Sequence, residues 1–428
     1  MFGKLFLAIF AGVALLACTG YSQIVSKKFD FGTGKATAGR TLIQTADVYS
    51  KEKGYGFEPG AKVTCSETGG KTASGYCSSD KPFYFSAAVP EGNYKVTVTF
   101  GNKTHASVTT VKAELRRLMI EKIETPKGKF VTASFIVNIR TPNIAGGGEV
   151  KLKDREKASE RWAWDDKLTL EFNNSHPTVD SIEIERVDVP TIFLLGDSTV
   201  CDQPSEPYAS WGQMLTRFFK PEIAIASHAE SGESLNSSYG AKRLAKVLTL
   251  LKAGDYVLLQ FGHNDEKEKG DGVGAFTTFK ATFKKYVEEI RAKGGIPVLT
   301  TPMHRRTFDP SGKVTNSHGD YPEAVRQAAK ETNAPLIDLT AMSKPFYEAL
   351  GPENSKLAFK DGDATHHNNY GSYELAKCIV EGIKANKLGV AKYLFSGLPT
   401  FDPAHPDPLA TFAIPPSPAF TDVKPLGN

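Results

Sequence analysis

The sequence shows almost no charge imbalance and few cysteines, and the apolar run at its start is too short to cross a membrane. Among its 428 residues, 52 Lys and Arg face 48 Asp and Glu, and the resulting net charge of +4 is too small and scattered to indicate nucleic-acid binding. No pair among the five cysteines has the spacing of a zinc site. The net charge is compatible with an acidic polysaccharide but does not imply one. The remaining composition is that of a globular protein of two or three domains.

The first 22 residues have the pattern of an export signal. Lys4 precedes an apolar run from Leu5 to Leu16, which is shorter than the about 20 residues that a membrane-spanning helix needs. Cleavage after Ser22 would release a soluble protein, whereas the sequence Leu-Leu-Ala-Cys ending at Cys18 resembles a bacterial lipobox and would give a lipid anchor. Both outcomes stay open, and both predict an exported protein that is periplasmic, secreted or anchored at the cell surface.

The other cysteines fall into two groups. Cys65 and Cys77 are close together in a Gly- and Ser-rich stretch, which predicts a disulfide in an oxidising compartment. Cys378 lies in an apolar helical pattern and is expected to be a buried free thiol.

Residues 23–189 have the pattern of a β-sandwich. Apolar residues alternate with polar ones from Tyr94 to Phe100, and Leu168–Phe172, Ile182–Ile184 and Phe130–Ile139 are further strand candidates. One stretch, Val111–Ile123, is compatible with a helix. Many short strands with turns between them are typical of a sandwich domain.

From Pro190 the pattern changes to apolar strands alternating with amphipathic helices, which predicts a doubly wound α/β domain with a parallel sheet over residues 190–388. The expected strands are Ile192–Leu195, Ile223–Ala226, Tyr256–Phe261, Val298–Thr301 and Leu336–Leu339, and a last helix runs from Tyr373 to about Lys384. Residues 389–428 are rich in proline and carry several apolar side chains, so we expect an extended strap on a domain surface.

Four polar blocks lie at or beyond the ends of predicted strands. They are Gly196-Asp197-Ser198-Thr199, Ser231-Gly232-Glu233-Ser234, Gly262-His263-Asn264-Asp265 and Asp363-Ala364-Thr365-His366. The carboxyl edge of an open parallel sheet is where ligands bind. Each block alone is compatible with a turn or a helix cap, but the ordered set indicates one active site.

In these blocks the chain resembles the SGNH hydrolases, also called GDSL-type lipases and esterases, over residues 192–383. The resemblance implies a flavodoxin-like α/β fold and matches Ser198, Gly232, Asn264 and His366 to the four residues that give the group its name. Within the superfamily the blocks look most like rhamnogalacturonan acetylesterases, carbohydrate esterase family twelve. The preceding sandwich, through its strand pattern and Trp162-Ala163-Trp164, resembles a galactose-binding-like module.

The residue types fit ester hydrolysis. Ser198 needs a base to act as a nucleophile, and His366, oriented by Asp363, can supply it. The N–H groups of Ser198 and Gly232 with the Asn264 amide would form an oxyanion hole. This mechanism needs no metal and no organic cofactor. His367 is an alternative base, and a metal site built from His263, His304, His366 and His367 with Asp265 and Asp363 is a weaker alternative because no metal-binding pair spacing occurs.

Two further pairs of side chains are candidates for binding substrate. Arg305 and Arg306 follow the fourth strand at the same edge and could bind a uronate carboxylate, although a solvated loop explains them equally well. Trp162 and Trp164 could stack on sugars, but alternating aromatic residues in a strand more often pack in a core, and we favour packing.

The expected function is removal of O-acetyl groups from a plant cell-wall polysaccharide, with pectic rhamnogalacturonan first and acetylxylan or simple carboxylic esters as alternatives. Partners are therefore acetylated polysaccharides or oligosaccharides; no nucleic acid is expected, and membrane contact is limited to an anchor at Cys18. An inactive, exported glycan-binding lipoprotein is the alternative of another class. The joint presence of Ser198, Asn264, Asp363 and His366 argues against it. The sequence leaves the oligomeric state open.

Overall fold

The computed structural model describes residues 25–418 of the chain. The predicted export signal and the lipobox at Cys18 lie outside the described residues. Within those residues, no helix combines the length and apolar character that crossing a membrane requires.

The first domain consists of two five-stranded sheets packed face to face, with a small third sheet at one side. The sheet orders are β10-β7-β13-β1-β2, β3-β6-β11-β8-β9 and β12-β5-β4. The strands are β1 Ser26–Phe31, β2 Thr41–Ile43, β3 Tyr55–Phe57, β4 Thr64–Ser66, β5 Tyr76–Ser78, β6 Phe83–Ala88, β7 Gly92–Gly101, β8 Ser107–Ala113, β9 Arg117–Thr125, β10 Phe130–Ile139, β11 Lys167–Asn173, β12 Thr178–Val179 and β13 Ser181–Arg186. The predicted sandwich is confirmed.

The sandwich core follows from the period-two alternation seen in the sequence. Tyr94, Val96, Val98 and Phe100 of β7 point to one face and are fully buried. They pack with apolar side chains of both sheets, among them Phe29, Phe85 and Leu170. At the side of the core, the predicted disulfide joins Cys65 and Cys77 across neighbouring strands β4 and β5.

One local prediction is wrong. The stretch Val111–Ile123, compatible with a helix by sequence, forms the ends of β8 and β9 and the turn between them. Glu114 and Arg116 in that turn have left-handed φ values of 55° and 64°, which interrupt any helix. Arg116 of this turn and Arg117, the first residue of β9, form buried contacts with the second domain, and local sequence preference contains no information about such contacts.

The second domain is built on a parallel sheet of order β15-β14-β16-β17-β18, the flavodoxin-like order expected for a doubly wound domain. Its strands are β14 Thr191–Gly196, β15 Ala224–Ser227, β16 Tyr256–Gln260, β17 Ile296–Thr300 and β18 Leu336–Ile337. A short helix α1, Asp154–Lys157, belongs to the sandwich. The helices of the second domain are α2 Trp211–Leu215, α3 Leu235–Gly240, α4 Arg243–Leu250, α5 Lys280–Ala292, α6 Tyr321–Thr332, α7 Leu339–Asn354 and α8 Asn369–Ala385.

Helices cover both faces of this sheet. Apolar side chains of α2, α7 and α8 pack on one face, and those of α4, α5 and α6 pack on the other. Cys378 lies inside α8 as a buried free thiol, as predicted, and Cys201 is a second buried free thiol.

A segment that we call the insertion, residues 140–166, leaves the sandwich between β10 and β11 and lies on the second domain. It contains α1 and a 3-10 turn at Arg161–Ala163, so Trp162 and Trp164 are not in a strand. Each tryptophan is 7% exposed, and the two pack with Leu115 and Val150. The guanidinium carbon of Arg140 lies 4.6 Å from the ring centroid of Trp164. The packing interpretation of the two tryptophans is therefore confirmed.

Buried ion pairs join the two domains. Arg117 of β9 donates to Asp202 Oδ2 at 2.7 and 2.9 Å, and Arg140 approaches the same oxygen at 3.3 Å. Arg243 of α4 donates to both oxygens of Glu156 in the insertion, at 3.0 and 2.7 Å. Because Asp202 follows Ser198 by four residues, the sandwich holds the loop that carries the expected nucleophile.

The strap was predicted over residues 389–428; Gly389–Tyr393 form a 3-10 turn, and residues 394–418, for which we keep the name, run back across both domains. The Lys112 ammonium donates to Pro415 O and Ser417 Oγ, each at 2.7 Å. The Ser417 N–H donates to Glu206 Oε1 at 2.8 Å, and Ile414 is buried. The strap thereby contacts the sandwich and the loop after Ser198 together.

Candidate active site

The expected nucleophile lies two residues beyond the end of β14, the second strand of the parallel sheet. Gly196 ends that strand where a side chain has no room, since an added Cβ would lie 2.5 Å from Val200 Cγ2 and 2.7 Å from Gln260 O. The buried Asp197 accepts hydrogen bonds from the N–H and the hydroxyl of Thr199. This turn presents Ser198, 7% exposed, at the carboxyl edge of the sheet.

Ser198, His366 and Asp363 form a hydrogen-bonded chain. Ser198 Oγ lies 2.9 Å from His366 Nε2, and His366 Nδ1 lies 2.8 Å from Asp363 Oδ2. The distances are those of a nucleophile bound to its base and a base bound to an orienting carboxylate. The structure therefore brings the three predicted residues together although 168 residues separate Ser198 from His366.

Asp363 is held as an acceptor. Partial burial raises its pKa, but hydrogen bonds from the Thr365 N–H and from the side chain and N–H of His366 outweigh burial and lower the pKa below its usual value. The Thr365 and His366 N–H groups lie 2.7 and 3.1 Å from Asp363 Oδ1. An ionised Asp363 keeps the proton of His366 on Nδ1, so that Nε2 faces Ser198 as the acceptor.

Two backbone N–H groups are available at this edge. Within residues 25–418, neither the Ser198 N–H nor the Gly232 N–H donates to a protein acceptor. Gly232 is exposed and has a left-handed φ of 73°, which glycine adopts without strain. Free donors beside a nucleophile are what an oxyanion hole needs.

Asn264 ties the third block to the second. Its amide Nδ2 donates to Glu233 O at 3.0 Å, and its Oδ1 accepts from Lys267 Nζ at 3.1 Å. The amide nitrogen carries a second hydrogen, which is the one available for substrate. Asn264 is thus hydrogen-bonded to the residue that follows Gly232, and its part in a three-donor oxyanion hole stays a prediction.

Replacing Asn264 with Ala is expected to lower kcat about 100- to 1,000-fold with little change in KM, the loss typical of one oxyanion donor. Initial-rate kinetics on 4-nitrophenyl acetate would measure this. Asn236→Ala is the matched control, since Asn236 is an exposed amide in the neighbouring helix α3. An Asn264→Ala enzyme in which only KM rises would instead make Asn264 a residue that binds the substrate's ground state.

His367 is placed away from the nucleophile. It is fully buried between Tyr347 and Phe359, and its Nε2 lies 2.7 Å from the Tyr347 hydroxyl. Burial lowers its pKa to about 3. This neutral, enclosed ring packs the core below the site, so the geometry favours His366 as the base.

The remaining histidines considered for a metal site are dispersed. His263 Nδ1 lies 3.2 Å from Asp197 Oδ2, and the buried His304 lies beyond strand β17. Within residues 25–418, no three His, Cys, Asp or Glu side chains are grouped as metal ligands.

Arg305 connects two blocks of the site. Its guanidinium contacts Glu266 and the Thr365 hydroxyl and donates to His263 O at 3.2 Å. The Arg306 N–H donates to Ala364 O at 2.7 Å. Arg305 therefore links the loop of His366 to the third block, whereas Arg306 contacts that loop through its backbone and directs its side chain to Pro352 O. A role in binding a uronate carboxylate stays a prediction, and for Arg305 the charge is already paired with Glu266.

Several side chains at the site carry no recognisable sequence signal. The Gln203 amide donates to Ser198 O at 2.6 Å, and the ring of Tyr208 meets that of His366 edge-on at 5.7 Å. Lys153 and Arg155 of the insertion both donate to Ser231 O in the second block. These residues belong to loops without periodicity, and only the tertiary structure places them.

Comparison with known proteins agrees with this geometry. Residues 194–372 match the GDSL-like Lipase/Acylhydrolase family, and residues 27–121 match the Beta-agarase/YXIM esterase-like, galactose-binding domain-like family. The two matches fall on the α/β domain and on the sandwich, respectively.

Three relatives come from Bacillus subtilis (strain 168). Rhamnogalacturonan acetylesterase RhgT is 39% identical over 220 residues, which are 48% of this chain and 94% of that protein. The probable rhamnogalacturonan acetylesterase YesY is 34% identical over 45% of this chain and 92% of its own length. The uncharacterized esterase YxiM is 27% identical over 90% of this chain and 98% of its own length.

The similarity to RhgT extends over nearly all of that protein, and the family match at residues 194–372 contains all four blocks. A galactose-binding-like sandwich precedes this region, and the α/β domain carries a serine, a base and an orienting carboxylate in hydrogen-bonding contact. The chain is a GDSL-like lipase/acylhydrolase, an ester hydrolase of the SGNH type.

Proposed function

We propose that this esterase removes O-acetyl groups from a plant cell-wall polysaccharide, and that pectic rhamnogalacturonan is its substrate. The observation that carries the proposal is the hydrogen-bonded chain from Ser198 through His366 to Asp363. The choice of substrate is supported by the names of RhgT and YesY, which refer to rhamnogalacturonan acetyl esters.

The first half of the reaction acylates the enzyme. Ser198 Oγ attacks the acetyl carbonyl carbon while His366 Nε2 takes the hydroxyl proton. The carbonyl electron pair moves to oxygen, where the N–H groups of Ser198 and Gly232 and the Asn264 amide would stabilise the charge. When the tetrahedral intermediate collapses, the bond to the sugar oxygen breaks, and that oxygen receives the proton from His366.

The second half restores the enzyme. Water attacks the acetyl-serine carbonyl and gives a proton to His366, and a second tetrahedral intermediate forms in the same site. Its collapse breaks the bond to Ser198 Oγ, which takes the proton back, and acetate leaves. Asp363 remains ionised throughout and stabilises the imidazolium that forms twice in each cycle.

Acetate release from a panel of acetylated polymers tests the substrate. We expect the protein to release acetate faster from acetylated rhamnogalacturonan than from acetylated xylan or homogalacturonan at equal acetyl concentration, with no release by Ser198→Ala. Enzymatic quantification of free acetate would provide the rates. Faster release from xylan would replace the proposed substrate with acetylxylan, and activity only on small esters would make the protein a general carboxylesterase.

We also propose that the protein is exported. The Cys65–Cys77 disulfide supports this, because disulfides persist in oxidising compartments outside the cytosol. Fractionation of cells that express the full chain and its Cys18→Ala variant would test both routes. A lipid anchor predicts that the wild-type protein stays with the membrane fraction and the variant does not.

A further inference from the structure

We propose that two cations from the sandwich domain, Lys153 and Arg155, strengthen and position the oxyanion donor at Gly232. They do so by binding the carbonyl oxygen of the peptide group to which the Gly232 N–H belongs. The proposal rests on the esterase function proposed above. It assigns to the sandwich a part in the reaction and makes Lys153 and Arg155 positioning residues.

The contacts converge on one carbonyl oxygen. Lys153 Nζ lies 2.7 Å from Ser231 O, and the Arg155 guanidinium donates to the same oxygen. Both side chains come from the insertion, more than 70 residues before Ser231 in the chain. A Cβ added at Gly232 would lie 3.7 Å from Lys153 Nζ and 3.8 Å from Arg155 Nη2, so the two cations lie directly beside this peptide group.

The Ser231 carbonyl and the Gly232 N–H are the two ends of a single planar amide. Resonance couples them, because electron density drawn toward the oxygen leaves the nitrogen and its hydrogen more positive. Hydrogen bonds from charged donors are roughly twice as strong as neutral ones, and bonds in a chain polarise one another. Two cations on the oxygen therefore make the Gly232 N–H a stronger donor. In a trans peptide the N–H points away from the carbonyl, and hence away from the cations.

The other side of the same residue is fixed to the nucleophile loop. The Ser231 hydroxyl lies 3.2 Å from Cys201 Sγ and 3.3 Å from Gln203 Nε2. Gln203 also donates to Ser198 O at 2.6 Å. Ser231 is thus held between the sandwich cations on its carbonyl and the Ser198 loop on its side chain, and this fixes the direction of the following N–H.

Lys153 and Arg155, taken together with the carboxyl groups around them, offer little net positive charge to an anionic substrate. Lys153 pairs with Glu233 at 3.0 Å, while Arg155 approaches Glu230 at 2.6 Å and Glu160 at 3.6 Å. Burial, assisted by the nearby charge of Glu230, raises the pKa of Glu160 to about 9, so this carboxyl is protonated at neutral pH. Lys153 and Arg155 then face the carboxylates of Glu233 and Glu230, and the nearby cation Arg243 is itself paired with Glu156 as well as Glu233. The pair is better suited to polarising a peptide than to attracting a uronate.

The test compares charge-removing and charge-keeping variants of Lys153. Lys153 is one-third exposed, so Lys153→Gln is expected to fold. We expect kcat on 4-nitrophenyl acetate to fall about tenfold in Lys153→Gln, less than the 100- to 1,000-fold loss of a whole oxyanion donor. KM should not change, and the melting temperature should stay close to that of the wild type because Arg243 still lies 3.5 Å from the buried Glu233. Lys153→Arg should retain most of the wild-type kcat, and Lys157→Gln, which removes an exposed charge from the same helix, should match the wild type.

Arg155 provides a second, independent measurement. Arg155→Lys keeps the charge that neutralises Glu230 and should retain more kcat than Arg155→Gln, with both melting temperatures recorded. A neutral ester is used because it carries no charge, so differences in rate between the variants cannot come from attraction of the substrate to a cation. Parallel rates on acetylated rhamnogalacturonan show whether the loss is the same on the polymer.

The outcomes separate the inference from the proposed function. A fall in kcat at constant KM and melting temperature, restored by Lys153→Arg, supports the inference. Unchanged kcat in Lys153→Gln overturns it, as does a rise in KM confined to the polymer, which would indicate ground-state binding of an anion. A kcat that falls only in step with the melting temperature would also overturn it. A wild-type protein that hydrolyses neither substrate would refute the proposed function itself, whereas the other results leave that function standing.

Discussion

Ser198→Ala and His366→Ala are each expected to lower kcat by a factor on the order of 10⁶, because residues that act as one unit lose nearly the whole effect when either is removed. The geometry gives the reason. His366 Nε2 lies 2.9 Å from Ser198 Oγ, and within residues 25–418 it is the only base within hydrogen-bonding distance of that hydroxyl. Combining the two substitutions should cost little more than either alone. Hydrolysis of 4-nitrophenyl acetate, followed with and without a serine-directed phosphonate, measures the loss.

The control for these variants is a histidine on the surface. His405 is 83% exposed and pairs with Asp402, so His405→Ala should leave kcat unchanged. Circular dichroism and melting temperature should be the same for all the variants and the wild type. A His366→Ala enzyme with most of its activity would contradict the assigned base and would direct attention to His367 despite its enclosed position.

Asp202→Ala is expected to lower the free energy of unfolding by about 3–5 kcal/mol, the cost of leaving buried charges without their partner. Asp202 is 4% exposed and accepts from Arg117 and Arg140, both nearly fully buried. Removing the carboxylate leaves two guanidinium groups close together at the domain interface. Urea unfolding followed by tryptophan fluorescence is suited to the measurement, since Trp164 lies at this interface.

Asp188→Ala is the matched control. Asp188 also pairs with a cation, Lys252, but the two side chains are 88% and 48% exposed, so the expected loss is below about 1 kcal/mol. If Asp202→Ala unfolded at the same urea concentration as the control, the buried pairs would not hold the domains together. The loop after Ser198 would then depend on its other contacts, which include the strap, Gln203 and Arg116, a donor to Gln203 O and Tyr208 O.

The positions of the first three blocks could be foreseen because each follows a sheet strand, and a parallel sheet gathers the carboxyl ends of its strands at one edge. The fourth block, with Asp363 and His366, lies beyond helix α7 and not directly after a strand, so its place beside Ser198 was predicted from the family resemblance. The strands of the sandwich were equally predictable from the sequence, since apolar and polar residues alternate with period two from Tyr94 to Phe100.

What the sequence did not reveal depends on contacts between domains. The turn at Glu114 and Arg116 is stabilised by its partners in the α/β domain, and a local pattern of apolar residues does not contain that information. Lys153 and Arg155 look like ordinary charged residues of a loop until their approach to Ser231 is seen. Arg305 was predicted at the correct edge, yet its pairing with Glu266 depends on how two loops meet.

The strap has a consequence for how the protein forms during synthesis. Lys112 and its partner Ser417 are separated by 305 residues, so at ribosomal rates of about 5–20 residues per second roughly 15–60 s pass between the appearance of the two. In the later part of that interval Lys112 can pair with Glu171 and Glu206, but it lacks the carbonyl and hydroxyl that complete its shell. The sandwich strands are all present before the strap, whereas the loop after Ser198 acquires its last support only when Ser417 reaches Glu206. Full activity should therefore appear late in vectorial folding, after the catalytic residues themselves have been synthesised.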